Sequence, residues 1–436
     1  MIMRRKTTLF ALVLILLLSL LWSGCVTNPV SGRQEFSLMS PAQEISMGTQ
    51  LYPLYTQASN GLFNDEGLQR YVSQVGNRLA SASHRPDLPY EFNVVNQSVP
   101  NAYALPGGKI SITRGLLTKM DSEAQLAALL GHEISHVTAR HSASSYTKQV
   151  MTSLIIGVGA AAIKSPSTRG LFTDLAGLTG NLVLMKYSRD HEREADQLGM
   201  DYMVRAGYNP RGLEELMSIL VSTNDREPGA LDVYFSSHPL SSERLETARS
   251  SIGSYPEALK AGLEERERFS RETRYLRSVE PAYEMADEGI ELARENRPRE
   301  ARKKFQSAVD MAPNEALLHT YLAALDLSIE DYRQARRGAE RALELYPDFF
   351  LARMAASRAS FGLRDYNSSL SHAAKANELV PDQPGVLFIT GRSYEEVGNI
   401  PRAARSFYRL LEVMGGRRTE QTQYAAHRLR QWGYIR

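Results

Sequence analysis

Apolar positions recur with three different periods along this chain, and each period marks off a region. Leu9 to Trp22 is an apolar run broken only by Ser19. From about Pro41 to Ile252 the spacing is mostly helical, with two β-like exceptions. The first is Tyr90 to Val99, where Phe92, Val94 and Val95 are alternating or β-branched. The second is Lys109 to Thr113, just after the turn Pro106-Gly107-Gly108. Ser122 followed three residues later by Gln125 has the form of a capping box, which predicts a helix start there. Leu126, Leu129, Leu130 and Ile134 make that helix largely buried.

From about Glu280 to Gly416 the period is 34 residues. Pro313, Pro347 and Pro381 are 34 apart, and so are Ala301, Ala335, Ser369 and Ala403. Two further registers, Phe305-Ala339-Ala373-Phe407 and Ala308-Ala342-Ala376-Leu410, keep the same spacing. Small residues at a close helix crossing, an apolar residue four further on and a proline between units make the tetratricopeptide pattern. Gly391 and Tyr394 fit its signature positions, and Glu420 to Trp432 reads as a capping helix. The predicted architecture is therefore mainly α, with a small β-sheet in the first domain, followed by a tetratricopeptide-repeat α-solenoid. Such an array offers a concave groove for segments of other proteins.

The N-terminus reads as an address rather than as fold. Arg4, Arg5 and Lys6 precede an apolar run too short for a bilayer span of about 20 residues. Ser23 and Gly24 follow it and lead to Cys25, so residues 1–24 form an export signal. Cys25 is the only cysteine of the 436 residues and stands where a bacterial lipoprotein carries its lipid, although Trp22 replaces the usual Leu of a lipobox. The mature protein then lies outside the cytoplasm without an internal disulfide. Residues 25–43, with turn signals Asn28-Pro29 and Ser31-Gly32, read as a lipidated tether. The remaining boundaries fall at 44–252 for the first domain, 253–279 for a helical linker and 280–436 for the repeats. A net charge of +2 and the lack of a basic stripe argue against nucleic acid. Met151 to Ile163 and Leu171 to Met185 are apolar and rich in small residues. They are expected to be helices that wall the active site or touch a membrane or client, with ordinary core helices as the alternative.

The chemistry is concentrated in His132-Glu133-Ile134-Ser135-His136. Residues four apart share one helix face, so both imidazoles can bind one tetrahedral Zn²⁺ at about 2.0–2.1 Å. Zinc lowers the pKa of its bound water from 15.7 to about 7, and Glu133, beside the first ligand, is placed to take that water's proton. A catalytic zinc needs a third protein ligand. The residue six after His136 is Ser142, so the ligand comes from elsewhere. The run His191-Glu192-Arg193-Glu194-Ala195-Asp196 is the best source, with Glu192 and Asp196 on one face. Glu194 points about 200° away and is expected to be solvated or salt-bridged. Spacing alone leaves the choice open among Glu192, Glu194 and His191.

Gly131-His132-Glu133-Ile134-Ser135-His136, then Arg140-His141, Glu192-x-x-Ala195-Asp196 and Ser237-His238-Pro239 together resemble the HtpX/CAAX-prenyl-protease-like family of gluzincins, over roughly residues 28 to 252. The lipoprotein-like start Asn28-Pro29-Val30-Ser31-Gly32 and the repeat tail narrow the resemblance to a periplasmic branch. It implies a zinc metalloprotease domain over 44–252 holding one Zn²⁺, with Glu192 as third ligand and Asp196 orienting a zinc-bound histidine. It implies that His238 lies on a loop that covers the zinc and fills its fourth position, giving a latent enzyme. A separate physical reading makes His238 or Arg244 a donor to the oxyanion of the transition state. Asn101 to Gly108 resembles the family's edge strand, which pairs with an extended substrate, the alternative being a simple hairpin turn. Val26 after a lipidated Cys25 implies the outer membrane. The expected function is a zinc endopeptidase of the bacterial envelope that acts on misassembled outer-membrane proteins, with a chaperone role in their assembly. The β-barrel assembly machinery is the partner this resemblance implies. The rival is a non-proteolytic chaperone or adaptor, against which an intact Glu133 argues.

Overall fold

The computed structural model describes residues 25–148, 187–226, 229, 231–239 and 242–436. The export signal and the two apolar segments between Met151 and Met185 lie outside the described residues.

Strand β1 (Cys25–Thr27) pairs antiparallel with β2 (Gln34–Phe36). Asn28 Oδ1 accepts from the amides of Val30 and Ser31, which closes the turn between them. The expected tether is therefore in part a hairpin, and it is fastened to the domain. Asn28 is buried, Leu38 N donates to Thr147 Oγ1 at 3.1 Å, and Arg140 Nη2 donates to Met39 O at 2.6 Å. A polar segment stays on the surface of a fold when its backbone groups find such partners.

Helices α1 (Pro41–Ala58) and α2 (Glu66–Ser81) follow, the first with a full capping box at Ser40 and Gln43, the second capped by Asp65. The sheet holds β3 (Glu91–Val95), β4 (Ala102–Leu105) and β5 (Lys109–Thr113) in the order β3-β5-β4. β3 runs parallel to β5, with Glu91 opposite Lys109, and β4 runs antiparallel to it. The first strand is shorter than its apolar pattern predicts, because the chain turns away at Asn96 toward Pro100. The outer edge of β3 is closed by side chains of α2. Gln69 Nε2 donates to the carbonyls of Phe63 and Val94, and its Oε1 accepts from Val94 N. Among the described residues, β4 is the edge left toward the site.

A short helix α3 (Arg114–Leu117) leads to α4 (Glu123–Thr138), every residue of which is buried. Ser122 caps α4 as predicted, but Gln125 closes the box one residue early, accepting from Asp121 N at 2.9 Å. Helix α5 (Arg189–Arg205) crosses α4 where Gly131 meets Gly199. Then come α6 (Arg211–Arg226), α7 (Asp232–Ser237), α8 (Ser242–Ser254), α9 (Glu257–Lys260) and α10 (Arg266–Glu272).

The repeats are α11 (Arg274–Arg294) with α12 (Pro298–Met311), α13 (Ala316–Ser328) with α14 (Tyr332–Leu345), α15 (Phe350–Gly362) with α16 (Tyr366–Leu379), and α17 (Pro384–Glu396) with α18 (Ile400–Met414). Helix α19 (Glu420–Gln431) closes the array. Ala301, Ala335, Ser369 and Ala403 all have 0 % exposure, as close helix crossings require. The turn inside each pair carries a left-handed residue in the same register: Asn296, Glu330, Arg364 and Gly398. The chain is thus mainly helical with a small sheet and a repeat solenoid. The first repeats, as far as Ala356 in α15, share one apolar core with the first domain, and the later helices pack in two clusters of their own. Arg114, at 0 % exposure, lies 3.8 Å over the Tyr283 ring and pairs with Glu280. Gln57 bonds both Asp348 O and Phe350 N.

Candidate metal centre

Three elements converge on one point. Helix α4 contributes His132 and His136 from one face, α5 crosses it with Glu192, and the chain leaving α7 contributes His238. All four are buried. His132 Nε2 is 3.0 Å from His136 Nε2 and 3.3 Å from His238 Nδ1. Glu192 Oε1 is 3.2 Å from His238 Nδ1 and 3.4 Å from His136 Nε2, and Glu192 Oε2 is 3.6 Å from His132 Nε2. Donors about 2.0–2.1 Å from a tetrahedral zinc stand about 3.3–3.4 Å from one another. The observed edges scatter around that value, so the residues fit a tetrahedral ion, and three nitrogens with a carboxylate are donors that suit zinc.

His238 is held by α7, whose last turn it caps through its own amide to Tyr234 O, and Tyr234 stacks on its ring. Its Nδ1 faces the other donors while its Nε2 lies 3.6 Å from Glu133 Oε1. One imidazole therefore stands both where a fourth ligand belongs and in front of the carboxylate.

The donors are backed from behind. His132 Nδ1 is 3.0 Å from Asp196 Oδ1, and Arg244 clamps that carboxylate through Nε and Nη2 at 2.7 Å each. Arg244 Nη1 also lies 2.7 Å from Glu192 Oε2 and donates to Pro239 O at 2.8 Å. The guanidinium of Arg244, weighed from the sequence as an oxyanion donor, is thus directed at Asp196, Glu192 and Pro239. Behind His136, Nδ1 meets His141 Nδ1 at 2.8 Å, and His141 Nε2 meets Glu194 Oε2 at 3.1 Å. Glu194 is therefore not merely solvated. His191 is not among the four converging donors; it stacks on His141 instead. Tyr187 stacks on His136 with centroids 3.8 Å apart, and its hydroxyl is 3.1 Å from Ser142 Oγ. No local pattern in the sequence marks Tyr187, because its role is a contact made across the fold.

The charges follow from burial and crowding. Glu133 has 0 % exposure, and neither of its carboxylate oxygens makes a hydrogen bond among the described residues. Burial pushes its carboxyl above the usual range, while His238 and His132 pull it partly back. Burial would also raise the Glu192 carboxyl, but His238, His132 and hydrogen bonds from His136 and His238 outweigh it and hold that group well below the usual range. Burial drives His136 well below the usual imidazole value. A buried carboxylate of heightened basicity beside converging imidazoles and one anionic carboxylate suits metal binding and proton abstraction. A narrow cavity separates this cluster from β4, lined by Asn101, Tyr103, Tyr55, Tyr187, Ser237 and His238. Cys25, the lipidation candidate, begins β1, paired with Phe36.

Residues 66–252 match Peptidase family M48. The chain is 32% identical over 236 residues to the beta-barrel assembly-enhancing protease of Escherichia coli strain K12, covering 51% of this chain and 46% of that protein. It is 31% identical over 219 residues to the mitochondrial metalloendopeptidase OMA1 of Schizosaccharomyces pombe, covering 50% of this chain and 63% of that protein. The chain thus spans about half the length of the bacterial relatives it matches. It also overlaps the solved structure of PilW, a type IV pilus biogenesis factor, at 18% identity and a TM-score of 0.33 over 49% of this chain and 98% of that one. The segment 66–252, which matches Peptidase family M48, carries all four donors of the cluster together with Asp196, Arg244, His141 and Glu194.

Proposed function

We propose that this chain is a zinc-dependent endopeptidase whose resting site is closed by His238. The observation that carries the proposal is the tetrahedral set of donors, with Glu133 buried beside it and free of hydrogen bonds among the described residues. His132, His136 and Glu192 would hold the ion. When bound, zinc supplies Lewis acidity toward a carbonyl and lowers the pKa of water. Glu133 takes the proton of the attacking water and passes it to the leaving nitrogen, a role its raised carboxyl suits. Asp196, clamped by Arg244, holds His132 in the tautomer that leaves Nε2 free for metal. The free edge of β4 receives an extended substrate backbone by strand addition. His238 must leave before water or substrate can enter, since its two nitrogens occupy the fourth donor place and face Glu133.

The wider reading is a periplasmic enzyme, tied to the outer membrane by lipid on Cys25, that cleaves misassembled outer-membrane proteins and assists their assembly. Its partners are those protein clients, selected by the repeats, and the β-barrel assembly machinery, with no nucleic acid. The printed name of the bacterial relatives supports the client class, and the one-cysteine N-terminus supports the anchor. Among the described residues no helix is long and apolar enough to cross a membrane. The plugged site also fits a non-proteolytic adaptor with a latent metal. Degradation of casein by wild type and Glu133→Gln at matched zinc content separates the two. Loss of degradation in Glu133→Gln is expected, and equal degradation by both would sink the protease reading.

A further inference from the structure

The two zinc-facing histidines of α4 are supported differently, and only one of the supports is legible in the motif. His132 rests directly on Asp196. Among the described residues, His136 Nδ1 meets not a carboxylate but a second imidazole, His141, at 2.8 Å. We propose that His141 and Glu194 form a positioning relay that fixes the tautomer and ring orientation of His136 as a metal ligand.

The assignment of protons is forced by the geometry. His136 Nε2 faces the other donors, 3.0 Å from His132 Nε2 and 3.4 Å from Glu192 Oε1. With Nε2 given to metal, His136 carries its proton on Nδ1 and donates it to His141 Nδ1. His141 then carries its own proton on Nε2 and donates it to Glu194 Oε2, 3.1 Å away. Each donor has one acceptor, and the relay ends on the Glu194 carboxylate. His141 is itself buried, set edge-on to His136 with ring centroids 5.0 Å apart and stacked on His191 at 4.2 Å.

The backbone is shaped to deliver this ring. Helix α4 ends at Thr138, and Arg140 takes the left-handed conformation at φ 59°. That turn swings His141 back beneath His136. The Arg140 side chain anchors this turn. Here its guanidinium is gripped by Glu44 of α1, itself 2 % exposed, and by Met39 O. Glu194 leaves α5 on the side away from Glu192, so it cannot reach the donor cluster itself. His141 bridges that gap. One helix thus supplies a ligand, Glu192, and the distal supports of both histidines, Asp196 and Glu194.

The proposal rests on the metal-centre reading and is tested by zinc affinity of the purified full chain, measured by competition with a chromophoric chelator. His141→Leu keeps bulk but removes the acceptor, and the expected loss of affinity is about 10- to 100-fold. His141→Asn places an amide oxygen near the Nδ1 position and is expected to recover most of that loss. Glu194→Gln, at the half-exposed end, is expected to lose about threefold, discounted for solvent. Glu194→Gln also serves if His141→Leu does not fold, since its side chain is 40% exposed. Wild-type affinity in His141→Leu or Glu194→Gln overturns the relay, as does equal loss in His141→Leu and His141→Asn, which would make the contact mere packing. A wild-type chain that binds no zinc would overturn the metal centre itself, which is a different result from unchanged variants.

Discussion

The distance between the donors of α4 and those of α5 is set by two glycines, and Gly199→Ala tests that directly. A Cβ on Gly199 would stand 3.0 Å from His132 N, 3.1 Å from Gly131 C and 3.3 Å from His132 Cα. These are backbone atoms and cannot rotate away. Restoring the 3.5–4.0 Å optimum between carbons separates the helices by about 0.5 Å or more. Zinc ligands must keep their distances to within about 0.2 Å. The displacement falls on the backbone of His132 itself, while Glu192 and Asp196 move with α5. Zinc affinity should therefore fall by at least about tenfold, roughly 1.4 kcal/mol. Overpacking costs about 1–3 kcal/mol of folding stability, partly offset by about 0.5–1 kcal/mol from replacing a helical glycine. Gly253→Ala is the control: it lies in α8, and its added Cβ meets nothing within 4 Å. Chelator competition and thermal unfolding of the zinc-free proteins separate the two effects. Gly199→Ala with wild-type zinc affinity, whatever its stability, would refute the idea that this crossing sets the ligand geometry.

Four further outcomes are expected. Glu133→Gln should abolish proteolysis while zinc content by atomic absorption stays at the wild-type level, because Glu133 is not one of the four donors. His238→Ala should raise basal proteolysis by clearing the fourth donor place; a fall to the Glu133→Gln level would make His238 catalytic instead. Glu192→Ala should strip the metal, and unchanged zinc content would remove Glu192 from the ligand set. Gln69→Leu should destabilise the domain by about 1–3 kcal/mol, since the buried Val94 N–H loses its acceptor. Unfolding in urea checks this last outcome, and a change under about 0.5 kcal/mol would show that the sheet edge does not depend on it.

What the sequence determines by itself is whatever depends on local periodicity. Four-residue spacing places His132 and His136 on one face of any α-helix that forms there, wherever that helix lies. A 34-residue recurrence of small residues dictates a stack of helix pairs, because each pair can bury its apolar face only against its neighbours. Even here some details needed the folded chain. The capping side chain of Gln125 turned to Asp121 rather than Ser122, and backbone groups of the expected tether were fastened to the domain. Partners far apart in sequence are another matter. Spacing within His191 to Asp196 left three candidates for a ligand, since helix rotation is set by the partner it packs on. The crossing at Gly131 and Gly199 decided it, turning Glu192 into the cluster and Glu194 toward His141. Packing of α8 against α5 brought Arg244 onto Asp196, and α7 carried His238 into the fourth place. Tyr187 stacked on His136 with no signal in its neighbourhood. Short-range spacing is a property of the backbone, so it is written in the sequence. Long-range convergence is a property of how helices pack, so only the tertiary structure decides it.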